Sequence, residues 1–135
     1  MKKTLVCALA AFALSSTGAF AADPTGVWTN ANGESKIKIS NCGSSLCGQI
    51  VWLKKPRKDT ENVDESKRSR DLVGVQIFND LKKNGDNQWV GSSYSPRKGK
   101  IYSGAATLKG DRLTLKGCLT SARLLCQTVK FDRGG

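Results

Sequence analysis

Four of the five cysteines stand in two close pairs, Cys42 with Cys47 and Cys118 with Cys126, and the fifth, Cys7, lies within a segment that reads as an export leader. An even cysteine count behind an export signal predicts an oxidising compartment and a small fold stapled by disulfides. Four cysteines allow three pairings. Closing each near pair costs the least chain entropy and fits a loop clamped at a hairpin tip, so Cys42–Cys47 and Cys118–Cys126 are the expected bridges. A zinc site would need four thiolates converging as a tetrahedron, which these spacings do not favour, and no other metal or cofactor motif is present.

The leader has a charged start at Lys2 and Lys3, an apolar run from Leu5 to Leu14, and a small-x-small cleavage site at Ala19-Phe20-Ala21. Residues 1–21 are therefore expected to be a signal peptide and residues 22–135 a single domain, periplasmic or secreted. No stretch approaches the roughly 20 apolar residues of a spanning helix, so the chain is not expected to span a membrane. Of the 22 basic residues in the sequence, 20 remain after the leader, against 11 acidic ones, a formal charge of +9. That excess predicts anionic partners.

Alternation of apolar and polar residues recurs along the chain, and no segment keeps a strong helical period for three turns. Ile37 and Ile39 oppose Lys36 and Lys38, Leu113 and Leu115 oppose Thr114 and Lys116, and Val129 and Phe131 oppose Thr128 and Lys130. Further strands are expected at 26–30, 47–53, 72–78, 88–94 and 100–109. Turn residues separate them at Asn32-Gly33, Asn84-Gly85-Asp86, Ser95-Pro96 with Gly99, and Gly110-Asp111. Leu72 to Lys83 also carries a four-residue apolar spacing, but Gly74 and the β-branched Val73, Val75 and Ile77 favour a strand ending near Asn79. The expected fold is all-β, an up-and-down antiparallel barrel of about eight strands with two local disulfides.

The segment Lys54 to Arg70 breaks the pattern: eleven of its seventeen residues are charged and Val63 is its one clear hydrophobe. It is expected to be a long exposed loop, either an inert solvated excursion or a mobile lid, whose carboxylates, Asp59, Glu61, Asp64 and Glu65, are solvated beside their basic neighbours. The chain has no histidine, so the commonest general base is absent and no enzyme activity is expected. Basic clusters occur at Lys54-Lys55-Pro56-Arg57-Lys58, Lys67-Arg68-x-Arg70 and Arg97-Lys98-x-Lys100. Nucleic-acid binding would require aromatics interleaved on an open platform and is not expected.

Gly26-x-Trp28 opens the domain and Arg133 follows the last expected strand, a pattern that resembles the lipocalin-like fold, in which a basic residue stacks on a tryptophan across the barrel base. The wider string resembles the bacterial family called domain of unknown function 2147. It runs Gly26-x-Trp28, Leu46-Cys47-Gly48-x-Ile50-Val51-Trp52-Leu53, Arg70-x-Leu72-x-Gly74, Trp89-x-Gly91, Tyr94-x-Pro96-x-x-Gly99-Lys100-x-Tyr102, Gly117-Cys118, and Leu125-Cys126 with Arg133. This resemblance implies a secreted, lipocalin-like barrel of unassigned activity. Two departures are Val63, where the family usually has proline, and Phe131, where it usually has tryptophan.

A barrel of this size can hold one small ligand. The residues expected to bind a small or amphipathic anion are Trp52, Tyr94 and Tyr102 for apolar contact, with Arg70 and Lys100 for charge. Ser103-Gly104-Ala105-Ala106 would leave room inside. The alternative is a basic envelope-interaction protein that associates with anionic surfaces or a protein partner without a ligand in its lumen.

Overall fold

The computed structural model describes residues 23–119 and 122–134; the expected signal peptide lies outside them. The described chain forms β1 (Gly26–Asn30), β2 (Ser35–Cys42), β3 (Ser45–Leu53), β4 (Gln76–Lys83), β5 (Gln88–Ser95), β6 (Lys100–Lys109), β7 (Arg112–Leu119) and β8 (Ala122–Arg133). Each strand pairs antiparallel with the next and β8 returns to β1, closing an eight-stranded up-and-down barrel. Closure removes the free edges that an open sheet of alternating strands would leave.

The inward faces of these strands make one core. Trp28, Ile37, Ile39, Leu81, Leu108 and Leu113 are among its most buried members. The alternation expected in β2 and β7 is present, with Ile37, Ile39 and Leu113 buried while Lys38, Ser40 and Arg112 are exposed. Both hairpin-tip disulfides are formed, with Cα separations of 5.7 Å for Cys42–Cys47 and 4.0 Å for Cys118–Cys126.

Two expectations need correction. The strand expected from Leu72 begins only at Gln76, because Gly74 turns the chain with a φ of 101° that side chains disfavour, leaving Val73 exposed. The long connection is exposed over most of its length, as expected, but it is pinned by two buried polar residues rather than being wholly solvated. Asp59 has 0% of its surface exposed and Asn62 is also buried. Burial here is stabilised by pairing of polar groups rather than by apolar area, which is why a count of hydrophobic residues missed it.

Barrel ends differ in character. At one end lie the β2–β3, β4–β5 and β6–β7 turns and both ends of the barrel chain. There the Arg133 guanidinium sits 4.4 Å from the centroid of the fully buried Trp28 ring. The same guanidinium donates to the carbonyls of Thr25 at 3.0 Å and Asp23 at 2.7 Å, and the Trp28 indole N–H donates to the Pro24 carbonyl at 2.8 Å. Gly26 takes a φ of 122° beneath this guanidinium, so glycine is needed where the entering chain bends under the arginine. This end is sealed. The β1–β2, β3–β4, β5–β6 and β7–β8 connections lie at the other end.

Candidate functional site

Towards that second end the barrel encloses a cavity of about 970 Å³. Its apolar lining includes Ile37, Ile50, Leu72, Tyr102, Leu115 and Val129. Gly104, Ala105, Ala106 and Gly117 also border it, and their small side chains keep the β6–β7 wall thin. Lys54, Lys55 and Arg57 from the β3–β4 connection and Arg97 from the β5–β6 turn add positive charge to the same lining, outweighing the one carboxylate there, Glu34. The result is an apolar chamber with a basic border.

The β3–β4 connection is held over this region by one buried carboxylate. Asp59 Oδ2 accepts from Asn62 Nδ2 at 2.8 Å and from Arg70 Nε and Nη2, both at 2.9 Å. Its Oδ1 accepts from the Tyr94 hydroxyl at 2.5 Å. Burial alone would raise the Asp59 carboxyl, but the donors Asn62, Tyr94 and Arg70, with the Arg70 charge, outweigh it and hold the group below the ordinary carboxylate range. Conversely, burial, then the bond to Asp59 and its negative charge, push the Tyr94 phenol up to about 12.

Tyr94 therefore has two faces: its ring lines the cavity and its hydroxyl pins the connection. A second tie joins the same elements, as the Val63 N–H donates to the Gly99 carbonyl at 3.0 Å. Within the connection, Lys58 pairs with Asp71 at 2.9 Å, and Asp64 caps the 3-10 turn Glu65–Lys67 by accepting from the Ser66 N–H and hydroxyl. Asp59 has no exposed surface and both its carboxylate oxygens are engaged by Asn62, Arg70 and Tyr94, so it positions the connection rather than meeting a solute.

The five residues expected to contact a ligand are divided by the structure. Tyr94 and Tyr102 line the cavity; Trp52, Arg70 and Lys100 are not among its lining residues. Trp52 is turned outward because β3 bulges between the Ile37–Ile50 and Lys36–Trp52 pairs, so Val51 and Trp52 both leave the core face. The indole is 41% exposed, with the Lys36 ammonium 5.1 Å from its ring centroid. Arg70 is committed to Asp59 and lies 5.7 Å from the Tyr94 ring centroid. Lys100, at the start of β6, is exposed beyond Tyr102.

Sequence reasoning missed Asp59 and Asn62. Their signal was faint: an Asp-x-x-Asn spacing in a segment whose composition reads as solvent-facing. It also passed over Arg57 and Arg97 as site residues, although both belong to basic clusters that the sequence displays.

The protein HP1028 from the human pathogen Helicobacter pylori, described as belonging to the lipocalin family, has a solved structure similar to this one. The TM-score is 0.71 over 84% of each chain, at 18% sequence identity. At that identity the likeness establishes the fold. No curated protein matches the chain in sequence. The family described as an uncharacterized protein conserved in bacteria (DUF2147) matches residues 26–133, which takes in every strand of the barrel. The chain belongs to the DUF2147 family, and its fold is a lipocalin-like barrel.

Proposed function

We propose that this protein is a non-enzymatic, periplasmic binder of a small amphipathic anion, whose apolar part enters the barrel while its charged group stays at the basic border. The observation that carries this reading is the coincidence of an apolar cavity of about 970 Å³ with Lys54, Lys55, Arg57 and Arg97 in its lining. That volume lies at the upper end of the roughly 300–1,000 Å³ of small-molecule sites. Tyr94 and Tyr102 supply aromatic contact in this reading. Arg70 acts at one remove, by holding Asp59 and so the connection that carries Lys54, Lys55 and Arg57.

The test is calorimetric titration of the mature chain with a medium-chain fatty acid and a lysophospholipid, each below its aggregation concentration, across a salt series. Saturable binding that persists in salt is expected, because apolar burial contributes about 25 cal/mol per Å² irrespective of screening. Replacing Arg57 and Arg97 together by alanine should weaken binding about tenfold and leave the unfolding transition in place. Absence of saturable binding, or binding that disappears with salt, rejects the reading.

A further inference from the structure

We infer that the open end of the barrel docks on the surface of a bilayer rich in anionic phospholipid. The docking goes beyond the ligand reading above; only transfer of a ligand from that surface into the cavity rests on it.

Charge is distributed unevenly along the barrel axis once ion pairs are discounted. In the β3–β4 connection Asp59, Asp64, Glu65 and Asp71 are engaged by Arg70, Lys67, Arg68 and Lys58. That leaves Lys54, Lys55 and Arg57 with no ion pair among the described residues, and the same holds for Arg97, Lys98 and Lys100 around the neighbouring β5–β6 turn; against these six cations stand two exposed carboxylates outside ion pairs, Glu34 in the β1–β2 connection and Glu61 in the β3–β4 connection, so positive charge still prevails at this end. The tie from Val63 to Gly99 and the bond from Tyr94 to Asp59 bring these two groups to one rim. At the sealed end, Arg112 and Arg133 are held by Asp132 and Asp111. Among the described residues, the cations without an ion pair there are Lys82, Lys83 and Lys109, beside Asp86.

An independent observation points the same way. The exposed large hydrophobic residues are Val51, Trp52, Val63, Val73, Ile101 and Leu125. Val63 and Val73 lie in the β3–β4 connection, Val51 and Trp52 in the last three residues of β3, Ile101 second in β6, and Leu125 fourth in β8. Each is therefore in an open-end connection or in the strand residues adjoining one. No such residue among those described adjoins a sealed-end turn. Exposed apolar side chains interspersed with uncompensated lysine and arginine suit an anionic lipid interface, where charge attracts and the apolar groups enter the headgroup boundary. A folded protein partner with an acidic face would satisfy the cations but leave the scattered apolar residues without a shared pocket.

The orientation is testable because the ends are far apart. The ten residues of β6 extend about 33 Å, or roughly 23 Å along the axis at a tilt near 45°. This exceeds two Debye lengths of about 10 Å at 0.1 M salt. Co-sedimentation should compare the mature chain on vesicles of mixed phosphatidylglycerol and phosphatidylcholine with vesicles of phosphatidylcholine alone. Two double variants carry the same change of net charge: K98E with K100E at the open end, and K82E with K83E at the sealed end. All four positions are exposed, and an unchanged unfolding transition verifies that each variant is folded.

Wild type should bind the anionic vesicles and not the neutral ones. The open-end variant should lose at least about 30-fold in partitioning, since each basic residue near such a surface contributes a factor of about five. The sealed-end variant should stay within about threefold. Equal losses in the two variants, equal binding to both vesicle types, or no binding to anionic vesicles overturns the inference. Lys98 and Lys100 do not line the cavity, so in high salt, where rim charges are screened, titration with a monomeric amphiphile should remain saturable in the open-end variant. Failure of docking is thereby separated from failure of the ligand reading.

Discussion

Asp59 and Arg70 form one ion pair whose members differ sharply in access to water, and that difference sets the sign of a double-mutant experiment. Asp59 is 0% exposed, whereas the Arg70 side chain is 38% exposed. Removing one partner of a buried pair costs about 3–5 kcal/mol when the other charge is left buried without compensation. Arg70→Ala creates that situation, because only Asn62 and Tyr94 would still donate to the carboxylate. Asp59→Ala leaves a guanidinium that can turn to solvent, so its cost is expected to be about 1–2.5 kcal/mol, mainly lost hydrogen bonds.

Adding Asp59→Ala to Arg70→Ala should therefore restore about 1–3 kcal/mol rather than subtract more. Urea unfolding with both disulfides intact measures the cycle, and amide exchange at Val63 and Leu72 reports detachment of the connection. These two N–H groups donate to the Gly99 and Arg57 carbonyls. The pH dependence follows from the depressed Asp59 carboxyl. Its stabilising contribution is present above the unfolded value near 3.9 and is lost as pH falls through the lower folded value. In Arg70→Ala the trend reverses, since protonation then relieves an unpaired buried charge. A double variant less stable than Arg70→Ala at neutral pH would refute the reasoning.

Three further outcomes are expected. Arg133→Ala should lower stability by about 1–2 kcal/mol in urea unfolding, through loss of the stack on Trp28 and of the bonds to Thr25 and Asp23. Gly99→Ala should loosen the β3–β4 connection while leaving the barrel folded. Gly99 has a φ of 68°, and an added Cβ would overlap the Glu61 carbonyl oxygen, so faster exchange at Val63 is the readout. Alkaline ultraviolet titration should show one phenol ionising near pH 12 that is missing from Tyr94→Phe. Because the folded value is raised, the associated stability is complete below about pH 10 and lost as pH passes 12.

Period-two alternation at Ile37 and Ile39, at Leu113 and Leu115, and at Val129 and Phe131, together with Asn-Gly and Gly-Asp turns, was enough to read an all-β meander from the sequence. The physical reason is that strand periodicity and turn chemistry are local properties, carried within a few residues. The same locality made the two disulfides legible, since each joins cysteines across one hairpin. What depended on tertiary structure was every feature that joins distant segments or departs from alternation. The bulge in β3 turned Trp52 outward, although simple alternation from Ile50 would have placed it inside. Asp59 became buried because Arg70, eleven residues on, and Tyr94, on another strand, converge on it in the closed barrel. The cavity exists because Gly104 and Ala106 on one strand stand opposite Gly117 and Leu115 on the next, a juxtaposition set by register, which no window of sequence contains.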